Sequence, residues 1–143
     1  MTMIHHQLQI DAPIDVVYAA IATAHGISTW WDKQTPKQNE RGMVLEHNPG
    51  PQHGVVQLRV VELVPDRRIE WECISTHPSS SPASAWTGTH FTFELAAGDA
   101  PGTTRLDFRQ TGYDERSEFF EANRAAWAQV LQNLRRVVES RRG

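Results

Sequence analysis

The sequence is poor in the residues that announce the commoner chemistries. One cysteine, Cys73, stands among 143 residues, so no internal disulfide can form and a disulfide-stapled secreted scaffold is excluded. No apolar run approaches the roughly 18 residues that suggest a membrane span, and the mean hydropathy is -0.50. The opening "MTMIHHQLQIDAP" shows no basic segment followed by an apolar run and a cleavage site, so a cytoplasmic protein is expected. Basic charge is also scarce. A net charge of -3, an isoelectric point near 6.1 and Lys and Arg scattered until the closing "RRVVESRRG" leave no footprint for nucleic acid.

Catalytic signatures are missing in the same way. There is no G-x-S-x-G elbow, no Gly-rich phosphate loop and no H-E-x-x-H. None of the seven histidines pairs at i, i+4 on an expected helix, and His5 and His6, adjacent on a strand, point to opposite faces. No metal and no cofactor is expected. Cys73 falls mid-strand, where a buried thiol is inert, and Glu70 and Glu72 share a strand face that the apolar alternation turns outward.

What is present is periodic. "IHHQLQID" sets Ile4, His6, Leu8 and Ile10 against His5, Gln7 and Gln9, a period-two strand. Ala12-Pro13 then opens a helix, with Asp11 or Ala12 as its cap and Ile14, Val17, Tyr18 and Ile21 as its apolar face. A short second helix is expected from His25 to Trp30. From Met43 onward the runs "MVLEH", "VVQLRVVELV", "RRIEWECI", "WTGTHFTFEL" and "TTRLDFRQTG", separated by turn residues, read as an antiparallel meander. Alternation gives Ile69, Trp71, Cys73, Phe91, Phe93, Leu95, Leu106 and Phe108 to one face, and Arg68, Glu70, Glu72, Asp107 and Arg109 to the other. A helix from about Arg116 to about Ser140 closes the chain, with a stripe through Phe120, Trp127, Val130, Leu131, Leu134, Val137 and Val138 that Asn123 and Arg124 interrupt.

Geometry restricts how these parts assemble. One helix is about 10 Å wide, whereas about six strands span well over 20 Å, so a sheet with a single apolar face must curl around the helix. The fold class is therefore α+β, a curved antiparallel sheet of about six strands gripping a long C-terminal helix, in one domain over residues 1–143. Such a grip readily leaves an interior void lined by large aromatics.

The same residues carry a resemblance. The order strand, two short helices, antiparallel strands and long helix resembles the helix-grip fold of the START-like, SRPBCC superfamily, which includes the birch-pollen allergen and the polyketide cyclases. More narrowly, "IDAPIDVVYAAIATAHGISTWW", "RGMVLEH", "VVELVPDRRIEW" and "AAWAQVLQNLRRVVES" are similar to segments of proteins related to the activator of heat-shock protein 90 ATPase. The likeness covers about residues 4 to 140. Two departures stand out: Arg41-Gly42 where the group often has Gly-Gly, and Ala126 where it has Gly before the helix tryptophan. The separate N-terminal domain of the eukaryotic co-chaperone has no counterpart in these residues, so the resemblance is not expected to extend to chaperone activation.

The resemblance implies a pocket between sheet and helix. Successive turns of a meander alternate between its two ends, which puts the turn 48–53, the loop 75–85 and the link 111–117 together, beside the half of the helix that carries Asn123. A small hydrophobic ligand, apolar, aromatic or lipid-like, is expected against Trp71, Phe91, Phe93, Phe108 and Trp127, with Met43 and Phe120 also ligand-binding and Gln110 and Asn123 for orientation. Of the adjacent tryptophans in "STWWDK", one is expected to anchor the second helix while Trp31 reaches towards the cavity; His47 is also expected among the ligand-binding residues. The alternatives are a cyclase or aromatase using His47, Tyr113 or Asn123, and a stress-related protein-interaction module. A homodimer is left open.

Overall fold

The computed structural model describes residues 3–40, 42–113 and 116–141. Arg41, one half of the Gly-Gly departure, and residues 114 and 115 of the third mouth segment lie outside the described residues. In chain order the elements are β1 (Ile4–Ile10), α1 (Ile14–Ala22), α2 (Ala24–Ile27), β2 (Thr35–Asn39), β3 (Gly42–His47), β4 (Val56–Val64), β5 (Arg68–Cys73), a 3-10 turn (Pro82–Trp86), β6 (His90–Ala97), β7 (Thr104–Thr111) and α3 (Phe120–Glu139). The strands form one antiparallel sheet in the order β1-β7-β6-β5-β4-β3-β2.

Seven strands, one more than the pattern predicts, is the main difference from expectation. The extra strand, β2, reads TPKQN and has no apolar alternation, because it is an edge strand with neither face in the core. Pro36 fits there, since an edge position can do without one ladder donor. The sheet's two faces divide as the alternation predicts. Ile69, Trp71, Cys73, Phe91, Phe93, Leu95, Leu106 and Phe108 are all buried. On the opposite face Arg68 joins Glu62, Glu70 and Glu94, Arg59 pairs with Glu72, and Asp107 receives His5 and Arg109. Exposed pairs of this kind contribute about 0 to 1 kcal/mol each, so the buried face holds the sheet in place. A register shift between Val60 and Glu62 breaks the alternation of β4 and sharpens the local twist. Val61 and Leu63 are consequently exposed.

The helices begin differently from the expected points. Pro13, not Asp11 or Ala12, is the N-cap of α1, and no side chain caps it; Asp15 in the first turn meets the dipole instead. Thr23 caps α2, its Oγ1 accepting from the Gly26 N–H at 3.0 Å. Gly26 is required there, because a Cβ would lie 2.4 Å from the Ala19 carbonyl oxygen. α2 stops at Ile27, short of Trp30, where the Ser28 and Thr29 hydroxyls turn back to the Ala24 and Gly26 carbonyls. α3 starts at Phe120 rather than Arg116, with the Ser117 Oγ accepting from the Phe119 N–H ahead of it. Its buried residues, Asn123, Trp127, Leu131, Leu134 and Val138, form the stripe that faces the sheet.

Candidate functional site

Trp30 and Trp31 sit in the turn after α2 with their rings nearly parallel, centroids 6.2 Å apart, but they meet different surroundings. Trp30 is buried and its Nε1 donates to the Ala20 carbonyl at 2.8 Å, which ties the turn after α2 to α1. Trp31 enters the space between sheet and helix. Its ring centroid lies 5.0 Å from that of Trp127, 4.6 Å from His47, 6.3 Å from Trp71 and 6.0 Å from Trp86.

That insertion decides where the open space is. Trp127 stacks on Phe108 at 4.6 Å, Trp71 lies 4.9 Å from Phe93, and Phe93 lies 5.1 Å from Phe108. The deep interior is an aromatic stack. The void sits at its outer end, a cavity of about 270 Å³. Trp31 and Trp86 supply aromatic wall, and Pro49 and Val56 close one side. Pro82 and Ala83 of the 3-10 turn face Asn123 and Ala126 of α3 across it. Asp32, His47 and His53 are its titratable groups.

Three residues expected in the site line this cavity: Trp31, His47 and Asn123. Trp71, Phe91, Phe93, Phe108 and Trp127 are buried behind it, in contact with one another rather than with space. Gln110 is fully buried opposite Phe91, next to the last residue of β7, with its Nε2 donating to Thr89 Oγ1 at 3.0 Å. Phe120 is half-buried, edge-on to Tyr113. Met43 is 38% exposed and does not line this cavity, although it shares a strand face with Leu45 and His47. Sequence reasoning missed Asp32, His53, Pro82, Ala83 and Trp86. The available signal was Trp86 immediately after a Ser/Pro loop, an aromatic placed where a loop must fold back on the core.

The polar groups are held by a short network. His47 Nδ1 lies 3.1 Å from Gln34 Oε1, and Gln34 Nε2 donates to the Asp32 carbonyl at 2.8 Å. Burial lowers the His47 pKa from 6.5 to about 4; it outweighs the pull of the Asp32 carboxylate, 3.9 Å from Nε2, and His77 adds to the lowering. Asn123 Nδ2 donates to the Pro82 carbonyl at 3.2 Å and to the Tyr113 hydroxyl oxygen, joining α3 to the 3-10 turn and to the chain after β7. Burial raises the Tyr113 pKa, with the Asn123 contact opposing it. The Trp86 and Trp127 indole N–H groups are buried with no hydrogen-bond partner among the described residues. The Cys73 thiol is pushed up by burial, which keeps it protonated and unreactive.

Wider hollows of about 620 Å³ and about 570 Å³ lie elsewhere. Glu62, Asp66, Arg67 and Arg68 line the first and Asp11, Asp99, Arg135 and Glu139 the second, so both are charged, solvated surface.

Residues 11–139 match the family described as Activator of Hsp90 ATPase homolog 1-like protein. The chain belongs to that family. Among solved structures, the Aha1 dimer from Colwellia psychrerythraea is similar at 23% identity and a TM-score of 0.80, with 100% of each chain covered. Protein MLL2253 from Mesorhizobium loti is similar at 20% identity and a TM-score of 0.77, over 97% of this chain and 98% of the other. DynU16, a protein of the dynemicin biosynthetic locus, follows at 15% identity and a TM-score of 0.72, over 98% of this chain and 48% of its own. At these identities the likeness is one of fold. No curated protein sequence matches the chain. Ala126, the residue that departs from the family's glycine before the helix tryptophan, lies on the cavity rim.

Proposed function

We propose that this family member binds a small, largely apolar aromatic molecule in the cavity at the outer end of the aromatic stack. The observation that carries the proposal is a space of about 270 Å³ with aromatic, proline and alanine walls and a few convergent polar groups at His47 and Asn123. That is the composition of ligand pockets, just under their usual lower limit of about 300 Å³. A dry apolar cavity of about 150 Å³ already accepts benzene, so one or two fused rings are the matching size.

Magnitude favours binding over proton-transfer catalysis. His47 is the cavity imidazole best placed to act as a base, but a base whose conjugate acid has a pKa of about 4 is a weak proton acceptor at neutral pH.

Ala126→Phe tests the reading. The residue is exposed on α3 and lines the rim, so a ring there fills the mouth without touching the core. In heteronuclear NMR, naphthalene is expected to shift the indole N–H signals of Trp31 and Trp86 in the wild type and to leave them in place in the variant. Shifts that survive the block, or that map to the outer sheet face, refute the assignment. The dimeric state of the Colwellia relative supports a homodimer here as well; sedimentation equilibrium at a monomer mass would reject it.

A further inference from the structure

The polar geometry of the cavity selects among aromatic ligands, granted that the cavity is a ligand site as proposed above. Gln34 Nε2 donates to the Asp32 carbonyl at 2.8 Å, which fixes the amide's orientation, since the reverse would set two oxygens against each other. The atom 3.1 Å from His47 Nδ1 is therefore an oxygen. An oxygen there requires a proton on Nδ1. A neutral imidazole carries one N–H, so Nε2 bears the lone pair and acts as an acceptor. Nε2 has no hydrogen-bond partner among the described residues; Asp32 Oδ2, 3.9 Å away, is itself an acceptor.

Charge narrows the choice further. No residue lining the cavity is Lys or Arg, and the Asp32 carboxylate stands at its rim. Lys33 lines the adjoining hollow that shares Asp32 and His47 but not the cavity itself, so a carboxylate ligand inside it would meet a like charge and a neutral imidazole. A ligand without a donor would leave Nε2 desolvated and unpaired.

We propose that the ligand is a flat, uncharged aromatic bearing a hydroxyl or N–H group, which donates to His47 Nε2 while its rings lie against the Trp31 and Trp86 wall of the cavity. Gln34 acts as a positioning residue, holding the imidazole in the tautomer that accepts.

Calorimetric titration at neutral pH with three probes tests this: 2-naphthol, its methyl ether 2-methoxynaphthalene, and 2-naphthoate. The expected order is 2-naphthol tightest, by about three- to tenfold over the ether, the worth of one net hydrogen bond, with the carboxylate weakest. In His47→Phe, which keeps a ring and removes the acceptor, the two neutral probes should bind equally. Gln34→Leu covers the case in which that variant fails to fold. It leaves the imidazole in place but frees its tautomer, and the preference for the hydroxyl should shrink. If both neutral probes bind alike in the wild type, or the preference persists in both variants, donor selection is wrong while the cavity reading stands. If no probe binds, or binding is indifferent to Ala126→Phe, both are wrong.

Discussion

Acidification should expose the cost of keeping His47 neutral. Its side chain is 2% exposed, so solvent screening gives little relief. The groups that act on it are the Gln34 amide, the Asp32 carboxylate, which favours the proton, and His77, which opposes it. The folded-state pKa of about 4 lies below the ordinary 6.5. Above the ordinary value neither state holds the proton and there is no penalty. As pH falls from 6.5 towards 4, the unfolded chain takes up a proton that the folded chain refuses, so stability is lost across that window and levels off below it. At about 1.36 kcal/mol per pH unit the loss is about 3 kcal/mol. Urea unfolding followed by tryptophan emission, at about pH 7 and about pH 4, measures it in the wild type and in His47→Phe. The variant loses the Gln34 contact at every pH, a constant offset of about 1 to 3 kcal/mol, and its remaining titrations are shared with the wild type. The wild type should therefore lose about 3 kcal/mol more than the variant between the two pH values. Parallel losses would refute the claim that burial holds this imidazole neutral.

Two further outcomes test the packing. Trp127→Ala, at a position 2% exposed and in contact with Phe91, Phe108, Trp31 and Trp86, should cost about 3 to 5 kcal/mol; an unchanged urea midpoint would show that α3 is not the gripped element. Gly26→Ala forces a Cβ to within 2.4 Å of the Ala19 oxygen, backbone that cannot rotate away, and should cost about 1 to 3 kcal/mol by separating α1 from α2. A neutral result in thermal unfolding would mean the two helices do not pack as described.

Much of the fold was legible because its signals are local and periodic. The alternation of "RRIEWECI" and "WTGTHFTFEL" named the inner face of β5 and β6 residue by residue, and the Trp127 to Val138 stripe located α3. β2 was not legible, since an edge strand that contributes nothing to the core has no pattern to read. The site was legible in part. Sequence predicts which side chains face inward, but whether facing aromatics enclose space or fill it depends on volumes to within an ångström or two. Trp31 occupies the room that Trp71 and Trp127 would otherwise border, which moved the cavity outward to His47, Asn123 and the loop residues Pro82 and Trp86. Loops carry no periodicity, so their contribution could be placed at one end of the sheet but not residue by residue.

The pairing of β1 with β7, Ile4 opposite Gln110 and Ile10 opposite Thr104, sets the order in which this chain can be finished. Closing a loop of that length costs more entropy than any hairpin of the meander. The strands from β3 to β7 can zip turn by turn, each onto its predecessor, while β1 waits. During synthesis β1, with Ile4 and Ile10, has no neighbouring strand until β7 has left the ribosome. This last long-range closure is expected to slow folding, as non-local pairing does in other chains of high contact order. A circular permutant that joins the present ends and opens the chain in the exposed turn between β6 and β7 would make the β1–β7 pairing more local and pass the long-range closure to β6 and β7. It would shorten the interval in which β1 stands without a neighbouring strand.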